Sequence, residues 1–258
     1  MKNIITSLLF VILSLPSFAL TLGQQADSAY NAENYPEAIS LYKQSIEREG
    51  RSDDIYYNLG NAYYRADKPG MAVLNYERAL RLNPTNEDAR TNLEFVRSRI
   101  QDRPEDDTAF LASIHHSIVS AMTANAWAWT AFAIFVLLTG AIALYIFSTN
   151  ITLRKVGFFG GITLILILLY ALIVASDSTS RATSHESAVV IAPSTQLTSA
   201  PRASHGGSDK VVTIHEGTVV ELVDSVDTPD DPQSPKWYNV KINNNTKAWL
   251  RASDVERI

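Results

Sequence analysis

The chain of 258 residues contains no cysteine. No disulfide can staple it, and no thiolate can hold a metal or attack a substrate, so packing alone must hold any part that leaves a reducing compartment. The common catalytic patterns are missing as well. There is no glycine-rich phosphate loop, no nucleophile elbow and no His-Glu-x-x-His helix. Histidine is sparse. His115 and His116 are adjacent, so on a helix they diverge by about 100° and do not suit one metal ion. His185, His205 and His215 lack ligand spacing. No sign of charge dominates: 22 Lys and Arg face 27 Asp and Glu, for a net charge of −5. No basic block is present to grip nucleic acid, and Arg90, Arg97 and Arg99 are interleaved with acids in the manner of a solvated face. The expectation is a protein that is not an enzyme, with no cofactor, no metal site and no nucleic-acid partner.

Two long stretches, 127–147 and 156–175, contain no charged residue at all. Each is near the ~20 residues that cross a bilayer core as a helix. A soluble core helix of that length carries a polar face, and these do not. Trp127, Trp129 and Tyr145 lie near the ends of the first stretch, where amphipathic rings favour the interface. The connection 148–155 holds Arg154 and Lys155, whereas 107–126 has no Lys or Arg. The positive-inside rule places the connection in the cytoplasm and both flanks outside. The N-terminus agrees: Lys2, an apolar run over 4–15, then Pro16-Ser17-Phe18-Ala19 read as a signal peptide cut after Ala19, with an uncleaved anchor as the alternative. In a two-membrane bacterium this is a multi-pass inner-membrane protein whose soluble parts face the periplasm. The expected spans are 125–147 and 156–175. Phe110, Ile114, Ile118 and Met122 recur every four residues and predict an interfacial helix over 108–124, capped by Asp107 or Thr108; a helix packed on the preceding module is the competing reading. Gly157 and Gly161, with Gly160 beside them, predict close approach to the Gly140 and Ala143 face of the first span, or to a second copy.

Tyr30, Pro36, Ala38, Ile39 and Tyr42 return as Tyr64, Gly70, Ala72, Val73 and Tyr76, a constant step of 34 residues. The second copy, from Tyr56-Tyr57-Asn58-Leu59-Gly60 through Ala72, Tyr76 and Ala79 to Pro84, resembles the tetratricopeptide (TPR) repeat. The first copy is degenerate, with Ala26 in place of Gly60 and Gly50 in place of Pro84. A third start at residues 87–95 meets Pro104 before a partner helix and reads as a capping helix. A TPR module over 20–103 follows, with two repeats and a cap. An unrelated helical hairpin is the bland alternative. The resemblance implies a concave protein-binding surface, with Tyr57, Asn58, Asn61, Tyr64 and Arg65 facing it as partner-binding residues. Tyr56, Leu59, Gly60 and Tyr63 would be spent on packing. Solvation of a short array is the competing reading of the polar five. Asp88 and Asn92 stand where a carboxylate clamp needs cations, so no such clamp is expected.

From about residue 185 short β-branched runs alternate with turns, and a small all-β barrel is predicted over 185–258. Its segments Ala188-Val189-Val190, His215-Glu216-Gly217-Thr218-Val219-Val220, Trp237-Tyr238-Asn239-Val240 and Ala248-Trp249-Leu250 resemble a bacterial SH3 domain, with Ala248 where that family carries Gly. The 228–235 segment reads as an excursion, and Asn243-Asn244-Asn245 as a hairpin turn. Trp237 and Trp249 fit either a core or a peptide groove.

The order of modules is thus signal peptide (1–19), helical TPR module, transmembrane hairpin and SH3-like barrel. Together with Asn92-Leu93-Glu94, Asn125-Ala126-Trp127 and His215-Glu216-Gly217, it resembles the Bacteroides aerotolerance (Bat) family, E member. The resemblance implies a non-catalytic scaffold that assembles a stress- or oxygen-tolerance complex. Its implied partners are von Willebrand A-type membrane proteins and other Bat components. A peptidoglycan-binding envelope protein and an accessory subunit of a cell-wall hydrolase are the alternatives.

Overall fold

The computed structural model describes residues 20–102, 110–183, 186–202, 210–228, 236–241 and 247–258. The expected signal segment 1–19, Pro104, the caps Asp107 and Thr108, His185, His205, most of the 228–235 excursion and the Asn243-Asn244-Asn245 turn lie outside them, as do the side chains of Phe110, Ser113 and His116.

Five helices form the N-terminal array: α1 (Leu22–Asn31), α2 (Tyr35–Arg48), α3 (Asp53–Arg65), α4 (Pro69–Leu82) and α5 (Glu87–Arg97). Local signals set their starts. Thr21 and Gln24 form a capping box on α1, and Ser52 and Asn86 cap α3 and α5 through their side chains. Glu33 and Asp67 both have φ of 58°, so the left-handed turn inside each hairpin recurs at the repeat step. A Cβ on Gly60 would lie 2.7 Å from the Tyr76 ring, which is why the second hairpin needs glycine there. Ala26, Ala38, Tyr42, Leu59, Ala72 and Tyr76 are buried in one core that runs through both hairpins. The fifth helix closes it with Leu93 and Val96, and Ala89 packs with Tyr56 and Ala79.

Helices α6 (Phe110–Ser120), α7 (Ala124–Phe147) and α8 (Ile151–Thr183) follow. α7 and α8 are long and apolar enough to cross a membrane. At 24 and 33 residues they measure about 36 and 50 Å. The second helix is much longer than its apolar run. It begins at Ile151, so Arg154 and Lys155 belong to its first turns, and only residues 148–150 connect the pair. The Arg154 guanidinium lies 5.5 Å over the Tyr145 ring. The two helices meet at Gly157, where a Cβ would stand 2.7 Å from the Ala141 carbonyl oxygen and 2.8 Å from the Tyr145 nitrogen. Gly140, expected at this contact, has open space beside it, as does Gly160; the chain turns Ala141 inward instead. α6 packs across the end of α8. Val119 is buried, His115 Nε2 is 3.3 Å from Asp177, and the Trp127 indole donates to the Val119 carbonyl at 3.3 Å. Ile114 faces outward, 41% exposed.

The C-terminal part is one curled antiparallel sheet, a half-barrel of seven strands: β1 (Ser187–Val190), β2 (Ser194–Thr198), β3 (Lys210–His215), β4 (Val219–Asp227), β5 (Lys236–Lys241), β6 (Lys247–Arg251) and β7 (Val255–Arg257), in the order β3-β2-β6-β5-β4-β1-β7. β2 is a strand that the hydrophobic pattern did not announce. Its Thr195 and Leu197 face inward, but Ser194 and Gln196 dilute the run. Alternating residues Ala188, Val190, Leu197, Ile214, Val220, Val240 and Leu250 fill the concave side. Trp237 is buried and Trp249 half-buried.

Array and sheet share a seam. Ala188, Val189 and Val190 are all fully buried: Ala188 and Val190 face the sheet's own core, and Val189 enters the core of the array together with Ile258. Gly70 allows the approach, since a Cβ there would lie 3.0 Å from the Val190 carbonyl oxygen. Arg78 pairs with Glu256 at 2.9 Å and donates to the Arg257 carbonyl at 2.5 Å, while Arg81 donates to the Ile258 carbonyl at 2.5 Å. Asp102 accepts from the His215 backbone N–H at 2.6 Å and from the Thr218 hydroxyl at 3.0 Å, with the His215 ring at 3.1 Å.

Candidate functional site

The first helices of the repeats, α1, α3 and α5, stand side by side, and their accessible side is the surface that repeat arrays offer to partners. Tyr57, Asn58, Asn61 and Tyr64 are partly exposed on α3, and Arg65 is exposed at its end. Tyr56, Leu59, Gly60 and Tyr63 turn the other way and are buried. A helix with 3.6 residues per turn separates the two sets by geometry alone.

The polar side chains of this surface do not hang free. The buried Tyr42 hydroxyl donates to Asp27 at 2.6 Å, and Asn58 donates to the same Asp27 oxygen at 3.3 Å. One repeat later, the Tyr76 hydroxyl donates to Asn61 at 2.7 Å, and Asn92 donates to the same Asn61 oxygen at 2.9 Å. Each link of the second set lies 34 residues beyond its counterpart in the first, so this is a hydrogen-bond ladder with the period of the repeat. One acceptor in each helix ties its own hairpin partner to the next repeat. Burial raises the phenol pKa of Tyr42, and the hydrogen bond to Asp27 raises it further; burial does the same to Tyr76. Both hydroxyls therefore stay protonated as donors. Asn61 has its oxygen filled by two donors, so the structure places it in the joint between repeats more than in an open groove.

The other three predicted residues have partners of their own. The Arg65 Nε donates to the Tyr35 hydroxyl at 3.1 Å with its guanidinium over that ring, and this hydrogen bond raises its pKa. Tyr64 accepts from Arg99 at 2.9 Å and stands edge-on to Phe95 at 5.7 Å. Tyr57 lies 6.2 Å from the Tyr76 ring, with its hydroxyl 3.5 Å from Asn92. Arg99, read from its neighbours as part of a solvated face, is exposed and joins this surface, 4.0 Å over Phe95. Its signal was available: it lies one repeat step beyond Arg65. Arg97 is paired with Glu77. Beyond Arg99 the surface runs into the seam, where a cavity of about 370 Å³ is lined by Tyr64, Asp67, Arg99, Pro193, His215 and Glu216. The array therefore ends against a wall made by the sheet.

Among the described residues no group of three or more His, Asp or Glu side chains converges as a metal site. The arrangement offers aromatic faces, two guanidiniums and amide donors, which suit an extended peptide carrying acidic or aromatic groups.

The tetratricopeptide repeat family profile matches residues 54–86, which span α3, α4 and the turn after them. No curated protein and no solved structure matches the chain.

Proposed function

We propose that this chain is a non-catalytic membrane adaptor that holds a segment of another protein on the α1–α3–α5 surface. The observation that carries the reading is the accessible row of Tyr57, Asn58, Tyr64, Arg65 and Arg99 on a repeat array similar to a family of protein-binding modules. The apolar helices α7 and α8 anchor it. In this reading the array and the half-barrel stand on one side of the membrane, the periplasmic side. The seam supports that arrangement, because Asp102 and His215 meet across 113 residues of chain that include both apolar helices. The half-barrel acts as an SH3-like module that buttresses the array. The Bat resemblance makes von Willebrand A-type membrane proteins the first partners to try.

The test is recovery of such partners from solubilised membranes. Asn58→Ala combined with Arg65→Glu should lower recovery about tenfold, the value of one or two charge-assisted hydrogen bonds. Arg51→Glu, an exposed change in the turn before α3, should leave it intact. Equal recovery from both variants removes the surface from the function, and sedimentation of the wild type with purified cell wall would favour the peptidoglycan reading. Reporter fusions after Gln101 and after Ile258 should both read as periplasmic.

A further inference from the structure

A second cavity, of about 470 Å³, lies where the array, the sheet and the ends of α6 and α8 come together. Four arginines from three helices line it: Arg81 on α4, Arg90 and Arg97 on α5, and Arg181 on α8. Three have close oxygen partners. Arg97 holds Glu77, Arg81 donates to the Ile258 carbonyl, and Arg181 reaches Asp177 at 3.2 Å. Arg90 is the least compensated. Among the described residues its guanidinium donates to the Pro84 carbonyl and stands 3.7 Å from Glu87, and its Nε is buried without a hydrogen-bond partner. Glu94 is the remaining acid on the lining. Burial lowers the Arg81 pKa, with Glu77 opposing and Arg78 adding to the effect, as expected where cations crowd together.

The cavity's height matters as much as its charge. The apolar run of α8 ends at Ala175, and the lining residues Ser178 and Arg181 lie three and six residues beyond it. At 1.5 Å per residue that is about 5 to 9 Å past the hydrocarbon edge. The headgroup layer is about 5 to 8 Å deep on each side of a bilayer. We propose that this cavity takes the phosphate of an anionic phospholipid headgroup, with Arg90 and Arg181 as its ligands. The site is separate from the α1–α3–α5 surface and rests on the reading of α7 and α8 as membrane spans. Arginine suits the task because its planar fork matches phosphate oxygens in pairs.

The full chain is reconstituted in vesicles of mixed phosphatidylglycerol and phosphatidylcholine, released into detergent, and weighed by native mass spectrometry. Phosphatidylglycerol should be retained in preference to phosphatidylcholine. Arg90→Gln and Arg181→Gln should each lower retention about fivefold, and Arg51→Gln should not. Arg181 is 42% exposed, so its variant tests the site even where Arg90→Gln impairs folding. Equal retention of the two lipids by the wild type overturns the proposal, as does an unchanged Arg181→Gln. Displacement of the lipid by millimolar inorganic phosphate would reassign the cavity to free phosphate and overturn the lipid occupant. Recovery of the chain as a soluble protein without vesicles would remove the membrane reading beneath it, a result distinct from loss of selectivity.

Discussion

α2 and α4 hold the same place in successive repeats, yet only α4 carries a second module. Pro36 in α2 becomes Gly70 in α4, where a Cβ would crowd the Val190 carbonyl oxygen at 3.0 Å. Gln44, which donates to Ser40, becomes Arg78, which grips Glu256 and the Arg257 carbonyl. Glu47 becomes Arg81, which donates to the Ile258 carbonyl. The groove-side ladder is preserved across the same step, with Asp27 and Asn61 as equivalent acceptors. A repeat thus keeps the contacts that stack it and changes the face that meets something else. Departures from a repeat pattern then mark interfaces, and agreement marks the stack.

The sharpest way to break this contrast is to reverse the charges on α4. Arg78→Glu with Arg81→Glu places acids against Glu256 and the carbonyl oxygens of Arg257 and Ile258, and should cost about 3 kcal/mol by leaving partly buried partners opposed. Gln44→Glu, the corresponding change on α2, should stay within about 0.5 kcal/mol. Thermal unfolding of the full chain in detergent measures both, and equal losses would deny the seam any energetic weight.

Gly70→Ala should destabilise by about 1–2 kcal/mol through overpacking against backbone that cannot step aside. An ordinary exposed helix would gain about 1 kcal/mol from the same change, so the sign alone decides. Pro36→Ala should be nearly silent.

The ladder sharpens the comparison from the other side. Asn61→Ala leaves the buried Tyr76 hydroxyl without its acceptor and should cost about 1–2 kcal/mol. Asp27→Asn copies the second repeat into the first and should change stability by less than about 0.5 kcal/mol. A large effect of Asp27→Asn would mean that the two acceptors are not equivalent.

The smallest effect is that of pH on the seam. Burial pushes the Asp102 carboxyl upward, but hydrogen bonds from the His215 backbone N–H and ring and from Thr218 outweigh it, so its pKa is lowered. Such a group stabilises the fold above the ordinary carboxylate pKa of about 4, and that contribution is lost as pH falls through the lower folded value. Protection of the His215 amide from hydrogen exchange, relative to the unstructured amide at the same pH, should therefore fall below about pH 4 in the wild type and be low at every pH in Asp102→Ala.

By itself the sequence determined whatever recurs or accumulates along the chain. The step of 34 residues set the hairpins, the Gly60 contact and the outward face of α3; the charge-free runs set two helices long enough for a bilayer; and β-branched runs between turns marked six of the seven strands. These are sums over neighbours, so they survive reading without a fold. The apolar run Ala188-Val189-Val190 marked a strand, but that it is covered on both faces was decided by the tertiary structure. The tertiary structure alone decided how Asp102 meets His215, how Arg78 reaches Arg257, and that Asn61 serves the joint between repeats. It also set where α8 ends, because α6 and the array continue to support that helix beyond its apolar run. Each of these depends on which surfaces meet after 100 or more residues of intervening chain, or on a partner hydroxyl such as that of Tyr76. No local period or composition carries that information, since the free energy of a close contact is a property of the pair and not of either residue.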